Sequence, residues 1–135
     1  MIKQATLQDI TLLLTRLATA AIFIYAGVAK FFVWGGPVEG MPEAMVWLTK
    51  LLSIVEPLGA VALLAGYLTR WAGAGLTLIM FGSLFFVYFM FKAPFFTGQT
   101  GTGMDYNVLL MVTSLVLAVY GGGNWSVDAL LARKK

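Results

Sequence analysis

Residues 10–32 read ITLLLTRLATAAIFIYAGVAKFF, an apolar run interrupted by two cations, Arg16 and Lys30, and three threonines. As a helix rising ~1.5 Å per residue it would be about 34 Å long, enough to cross a hydrocarbon core of ~30 Å. The run exceeds the core of a signal peptide, its N-terminal flank is weakly basic and no small-residue cleavage site follows, so it is expected to remain in the mature protein. Asp9 and Thr6 are the candidate caps at its start.

Three more apolar runs follow. The Gly- and Pro-rich stretch from Trp34 to Pro42 ends the first, and Lys92, Pro94, Gly98, Gly101 and Gly103 end the third. A tight Tyr67–Arg70 connection separates the second from the third, and Gly121, Gly122 and Gly123 close the fourth. Helices are expected over about residues 10–33, 44–68, 71–92 and 104–121, with a short interfacial tail. The 135-residue chain is 60% hydrophobic and 11% charged, with a mean hydropathy of +0.88. That mix lies far from a soluble domain. The expected fold is all-α: an integral membrane four-helix bundle forming a single domain over residues 1–135.

Lys3, Arg70, Arg133, Lys134 and Lys135 fall on one side of four spans, and Lys92 falls on the other beside Glu39 and Glu43. Both termini are therefore expected in the cytoplasm, with the basic tail against anionic lipids rather than nucleic acid. There is no Cys and no His, so this chain alone offers no thiolate or imidazole for a disulfide, an iron–sulfur cluster or a haem, and no metal or covalent cofactor is expected.

An ionisable side chain at mid-bilayer costs on the order of 3 kcal/mol on insertion scales, so each one needs a reason. Arg16, Ala20, Phe23, Gly27 and Lys30 recur at 4-3-4-3 spacing and share one helix face, which should look into the bundle. Glu56 shares a face with the small residues Gly59, Ala60 and Gly66, and Pro57 removes a backbone donor beside it. Asn107, Met111, Ser114, Ala118 and Gly121 form a comparable stripe on the fourth helix, which should bring Asn107 into the interior. Asp105, at the start of that helix, reads equally as a cap and as a functional carboxylate. Several plainer readings stand beside these. Lys30 and Lys50 can snorkel to the headgroups and Arg70 can be a positive-inside loop residue. Arg16 and Glu56 can form a structural ion pair, and Trp34, Trp47, Trp71 and Trp125 suit an interfacial belt.

In this order, these residues resemble the DoxX family of small four-helix membrane proteins. The matching elements are Arg16, Phe23, Ala26, Gly27 and Lys30; then Glu56, Gly59, Gly66, Thr69 and Arg70; then Gly121, Gly123, Ser126 and Asp128. Asp105, Tyr106 and Asn107 look more like the DoxD-type branch, the membrane subunit of thiosulfate:quinone oxidoreductase. The resemblance implies a bacterial or archaeal cytoplasmic-membrane protein linked to quinone redox chemistry, working beside a redox partner subunit or as a homo-oligomer.

On that basis Glu56 is the candidate proton donor or acceptor, with Arg16, Lys30, Asn107, Asp105 and Arg70 as candidate ligand-binding residues and a quinone between the helices as the candidate cofactor. Two other readings stay open: a small proton-coupled transporter built around Glu56, and a non-catalytic accessory subunit. Two interior cations on the first helix speak against transport of cationic compounds. Whether the chain is itself an enzyme is left open by its sequence.

Overall fold

Helix α1 runs from Gln4 to Ala29 and continues as a 3-10 turn over Lys30–Trp34; α2 covers Glu43–Ala65, α3 Thr69–Phe89, α4 Asp105–Tyr120 and a short α5 Val127–Ala132. The computed structural model describes residues 4–98 and 103–134. Lys3, Gly101 and Lys135, which enter the charge count and the loop reading, lie outside the described residues. Among the described residues there is no β-strand, and the architecture is a membrane helical bundle with α5 at one end.

Pairs α1/α2 and α3/α4 pack most extensively, with thinner contact between α2 and α3 and between α1 and α4. The core between them is built from Leu12, Ala20, Phe23, Ala60, Leu63, Leu76, Met80, Leu110 and Leu117. Small residues set the close approaches, as in other membrane helix pairs. Gly27 of α1 lies so tightly against the ring of Pro57 that no side chain fits there. A Cβ on Gly73 of α3 would sit 2.7 Å from the Ala118 amide nitrogen and 2.8 Å from the Ser114 carbonyl of α4. Around this core, large apolar side chains such as Leu14, Leu58, Leu78 and Phe81 are exposed, which is the surface a bilayer requires.

The expected α1 face is the one that turns inward: Arg16, Ala20, Phe23 and Gly27 are buried, with Leu12 and Thr19 beside them. Helix α1 begins at Gln4 rather than near residue 10. Asp9 therefore lies inside the helix and does not cap it. Helix α2 stops at Ala65, three residues before the apolar run ends. There Gly66 takes the left-handed conformation (φ 68°), and the amides of Gly66 and Tyr67 return to the Leu63 and Ala62 carbonyls at 3.1 and 2.9 Å. This is a Schellman ending, for which glycine is the favoured residue.

Helix α4 falls just inside the expected 104–121 and is the shortest of the four bundle helices. Three helical segments, Gln4–Trp34, Glu43–Ala65 and Thr69–Phe89, are long and apolar enough to cross a membrane, whereas α4 has 16 residues and is about 24 Å long. The non-helical backbone at its ends finds partners within the protein, as irregular backbone near a bilayer must. The amides of Met104 and Asp105 donate to the Pro94 and Phe95 carbonyls at 3.1 and 2.8 Å. At the other end Gly121 and Gly122 are buried. The inward face of α4 is also rotated from the expected stripe: Leu110, Ser114 and Leu117 are buried, and Asn107 and Met111 flank them. Leucines fill the seam and leave the amide at its edge, where it need not be desolvated.

Candidate functional site: a buried ion pair and a polar clasp

Two polar centres lie roughly 20 Å apart along α1, the rise of the fourteen residues from Arg16 to Lys30. At the Lys30 end, the 3-10 turn after α1 carries the ammonium back over α2. Its Nζ donates to Glu56 Oε2 at 2.5 Å and to the Ala26 carbonyl at 3.2 Å. This is the one ion pair among the described residues, and it is asymmetric: the Lys30 side chain is 28% exposed and that of Glu56 1%. Glu56 Oε1 accepts no hydrogen bond from any described residue. Buried carboxylates are costly unless paired and hydrogen-bonded, and here only one of two oxygens is served.

The surroundings of this pair are aromatic. Trp34 Nε1 donates to Ser53 Oγ at 3.1 Å, and Ser53 Oγ donates to the Lys50 carbonyl at 2.7 Å. The Lys50 ammonium stands over the Trp34 and Trp47 rings, 5.3 and 5.0 Å from their centroids, a cation–π arrangement in place of simple snorkelling. Tyr106 of α4 lies within electrostatic range of both Glu56 and Tyr25. Ser53 precedes Glu56 by three residues, so both fall on the inner face of α2; that spacing was the available signal for Ser53. Tyr106 carried none beyond its place in the Asp105-Tyr106-Asn107 triplet.

At the opposite end Arg16 is 2% exposed and does not meet Glu56. The Arg16–Glu56 pair, one of the plainer readings, is not formed, and carbonyls ligate Arg16 instead. Nε donates to Leu63 O at 2.9 Å, Nη1 to Gly122 O at 2.7 Å and Trp125 O at 2.9 Å, and Nη2 to Leu64 O at 3.0 Å. The last-turn carbonyls of α2 form the negative end of its dipole, so a guanidinium is well placed there.

Around it the chain knots together. Asp128 accepts from the Leu68 and Thr69 amides at 2.8 and 2.9 Å, and its own amide donates to Gly66 O at 3.0 Å. Asp9 accepts from the Asn124 amide and side chain at 2.8 and 2.9 Å. Ser126 Oγ donates to Gly123 O at 2.6 Å and accepts from the Ala129 amide at 3.2 Å, capping α5.

The remaining candidates take no part in either hydrogen-bond network. Asp105 organises its own loop: Thr97 donates to it through its amide at 3.0 Å and its hydroxyl at 2.7 Å, and the Tyr106 amide does so at 2.9 Å. Asn107 is half-buried at the edge of the leucine seam and makes no side-chain hydrogen bond among the described residues. Arg70 is exposed in the first turn of α3, with its guanidinium beside Gly121.

A helical membrane protein is thus defined, with a buried ion pair near the middle of α2 and an arginine-centred clasp at one end of the bundle. The chain belongs to the DoxX family, whose model matches residues 11–89. Over 95% of its length it is 30% identical to the inner membrane protein YqjF of Escherichia coli (strain K12), covering 97% of that protein. Over 94% it is 28% identical to a Bacillus subtilis (strain 168) protein named "Putative oxidoreductase CatD", covering 91% of it. No solved structure matches the chain. The matched residues include Arg16, Lys30 and Glu56 and stop before α4, so Asp105, Tyr106 and Asn107 lie outside them.

Proposed function

We propose that this chain is the membrane subunit of a quinone-linked redox system and that Lys30 and Glu56 receive the quinone head group. The observation that carries this reading is the unserved oxygen of a carboxylate buried between helices, beside an ammonium that is still partly accessible. Both groups suit such a head group. A Lys30 N–H complements a carbonyl oxygen of the oxidised form, and Glu56 Oε1 complements a hydroxyl of the reduced form. Exposed Tyr25, Phe31 and Trp34 offer flat surfaces along the approach from the lipid.

Bound there, a quinone would supply the two-electron chemistry, with electrons arriving from a partner chain. The polypeptide's own part is proton handling: Lys30 Nζ holds a proton towards the bound oxygen, and Glu56 Oε1 takes up or releases one. The name of the Bacillus relative supports the redox assignment. Arg16 is not part of this site, because it lies roughly 20 Å away along α1 with four of its five N–H groups on backbone carbonyls. Purification from native membranes followed by mass spectrometry of extracted lipids tests the reading. A stoichiometric quinone, lost in Glu56→Gln and in Lys30→Met, is the expected result; repeated isolation without any quinone counts against it.

One observation favours a second reading, a proton-coupled transporter. Lys30 is paired with the Glu56 carboxylate and Arg16 is held by backbone carbonyls roughly 20 Å away, so a cationic substrate at Glu56 would meet one paired ammonium rather than two free cations. Proton flux in liposomes, abolished by Glu56→Gln without any quinone present, would select it.

A further inference from the structure

The clasp end carries four cations, Arg16, Arg70, Arg133 and Lys134, and two carboxylates, Asp9 and Asp128. Both carboxylates are occupied by amides, Asp9 by Asn124 and Asp128 by Leu68 and Thr69, and neither forms an ion pair with a described cation. Positive charge at this end is therefore left over.

Between α1, the end of α2 and α5 opens a cleft of about 530 Å³ whose walls are amphipathic in an ordered way. Leu13, Leu64 and Leu130 form its apolar side, Trp125 stands at its rim with half its surface exposed, and Arg133 and Arg16 form its basic side. Arg16 has five N–H donors and its carbonyl partners take four, leaving one on Nη2. The cleft lies where α2 ends and α5 begins, at one end of the bundle.

We propose that this cleft seats one anionic phospholipid, with its phosphate on Arg133 and the remaining Arg16 N–H, and one acyl chain along Leu13 and Leu64. Charge complementarity selects the anionic class. A zwitterionic headgroup would bring its own cation to a face that already has an excess, whereas each basic residue near an anionic lipid surface contributes about 1 kcal/mol. The apolar wall selects a lipid over a free phosphate.

The test uses the full chain in mild detergent, with native mass spectrometry and thermal unfolding in the presence of phosphatidylglycerol, phosphatidylcholine or inorganic phosphate. One retained phosphatidylglycerol and a saturable stabilisation are expected, with neither phosphatidylcholine nor phosphate reproducing them. Arg133→Glu should weaken retention by roughly 25-fold, about fivefold for each unit of charge changed. Lys92→Glu, exposed in the loop at the other end of the bundle, should leave retention unchanged. Equal retention of phosphatidylcholine, equal loss in the two variants, or full stabilisation by phosphate alone overturns the proposal. Should Arg133→Glu fail to fold, the cleft-filling Leu130→Trp variant decides with its charge intact: it must lose the retained lipid, and unchanged retention overturns the seat.

Discussion

Asp128 on the short helix α5 caps the first turn of α3, 59 and 60 residues earlier in sequence, by accepting from the amides of Thr69 and Leu68. Leu68 has φ 49°, a left-handed conformation that a leucine adopts only under constraint. The carboxylate serves both amides at the point where the chain is strained. Asp128→Ala should therefore cost about 2 kcal/mol, seen as a lowered Tm in detergent, and Asp128→Asn should lie between it and wild type. An unchanged Tm for Asp128→Ala would remove the capping role.

Arg16 and Glu56 belong to separate centres, and a double-mutant cycle reads this directly. Arg16→Lys replaces a fork serving four carbonyls with a point charge and should cost about 3 kcal/mol. Its effect should add to that of Glu56→Gln, as expected for sites with no shared partner. A coupling above about 0.5 kcal/mol would mean that the two side chains interact after all.

Lys30 and Glu56 should behave in the opposite way. Lys30→Met strands a buried carboxylate and should destabilise by about 3 kcal/mol or more. The double variant Lys30→Met/Glu56→Gln should recover much of that loss while losing quinone retention. Recovery of stability without recovery of function separates a reactive pair from a purely structural one; a double variant that keeps its quinone would mean that the pair has no role in binding.

The α1 face was legible because its information lies in side chains: cations and small residues repeat at helical spacing, and Arg16, Ala20, Phe23 and Gly27 are buried together. The partners of Arg16 were not legible, because they are backbone carbonyls, which every residue possesses. Leu63, Leu64, Gly122 and Trp125 carry no mark in their side chains of what their oxygens do. The face of α4 was only partly legible, for a different reason. In a bilayer both sides of a helix are apolar, so nothing singled out Leu110 and Leu117, which are buried beside Ser114 while Asn107 and Met111 are half-buried. The end of α2 was hidden because the apolar run continues past Gly66, whose left-handed geometry outweighs hydrophobicity.

Gly27 and Gly75 offer a matched pair of substitutions. A methyl on Gly27 would run into Pro57, beside Glu56, whereas a methyl on Gly75 meets open space. Gly27→Ala should cost about 1–3 kcal/mol by forcing α1 from α2, and Gly75→Ala should be neutral or slightly stabilising. Equal Tm values for the two variants would show that the α1/α2 approach is looser than described.

The hydrogen bonds of Asp9 with Asn124 place the start of α1 and the segment after α4 at one end of the bundle, and Glu39 lies in the loop at the other. Because the chain has no Cys, single cysteines report topology without background. Lys134→Cys should react only with a permeant reagent and Glu39→Cys with an impermeant one added outside intact cells. The reverse pattern would invert the expected orientation.

The clasp also orders events during synthesis. Arg16 is translated before all four of its acceptors, and two of them, Gly122 and Trp125, follow it by 106 and 109 residues, with the cap of α3 later still. Until they arrive, every spanning helix can be inserted while the guanidinium remains half-served and the α2–α3 turn uncapped. A chain stopped just after Tyr120 would thus hold all four bundle helices and still be unlatched, with Arg16 half-served and α3 uncapped.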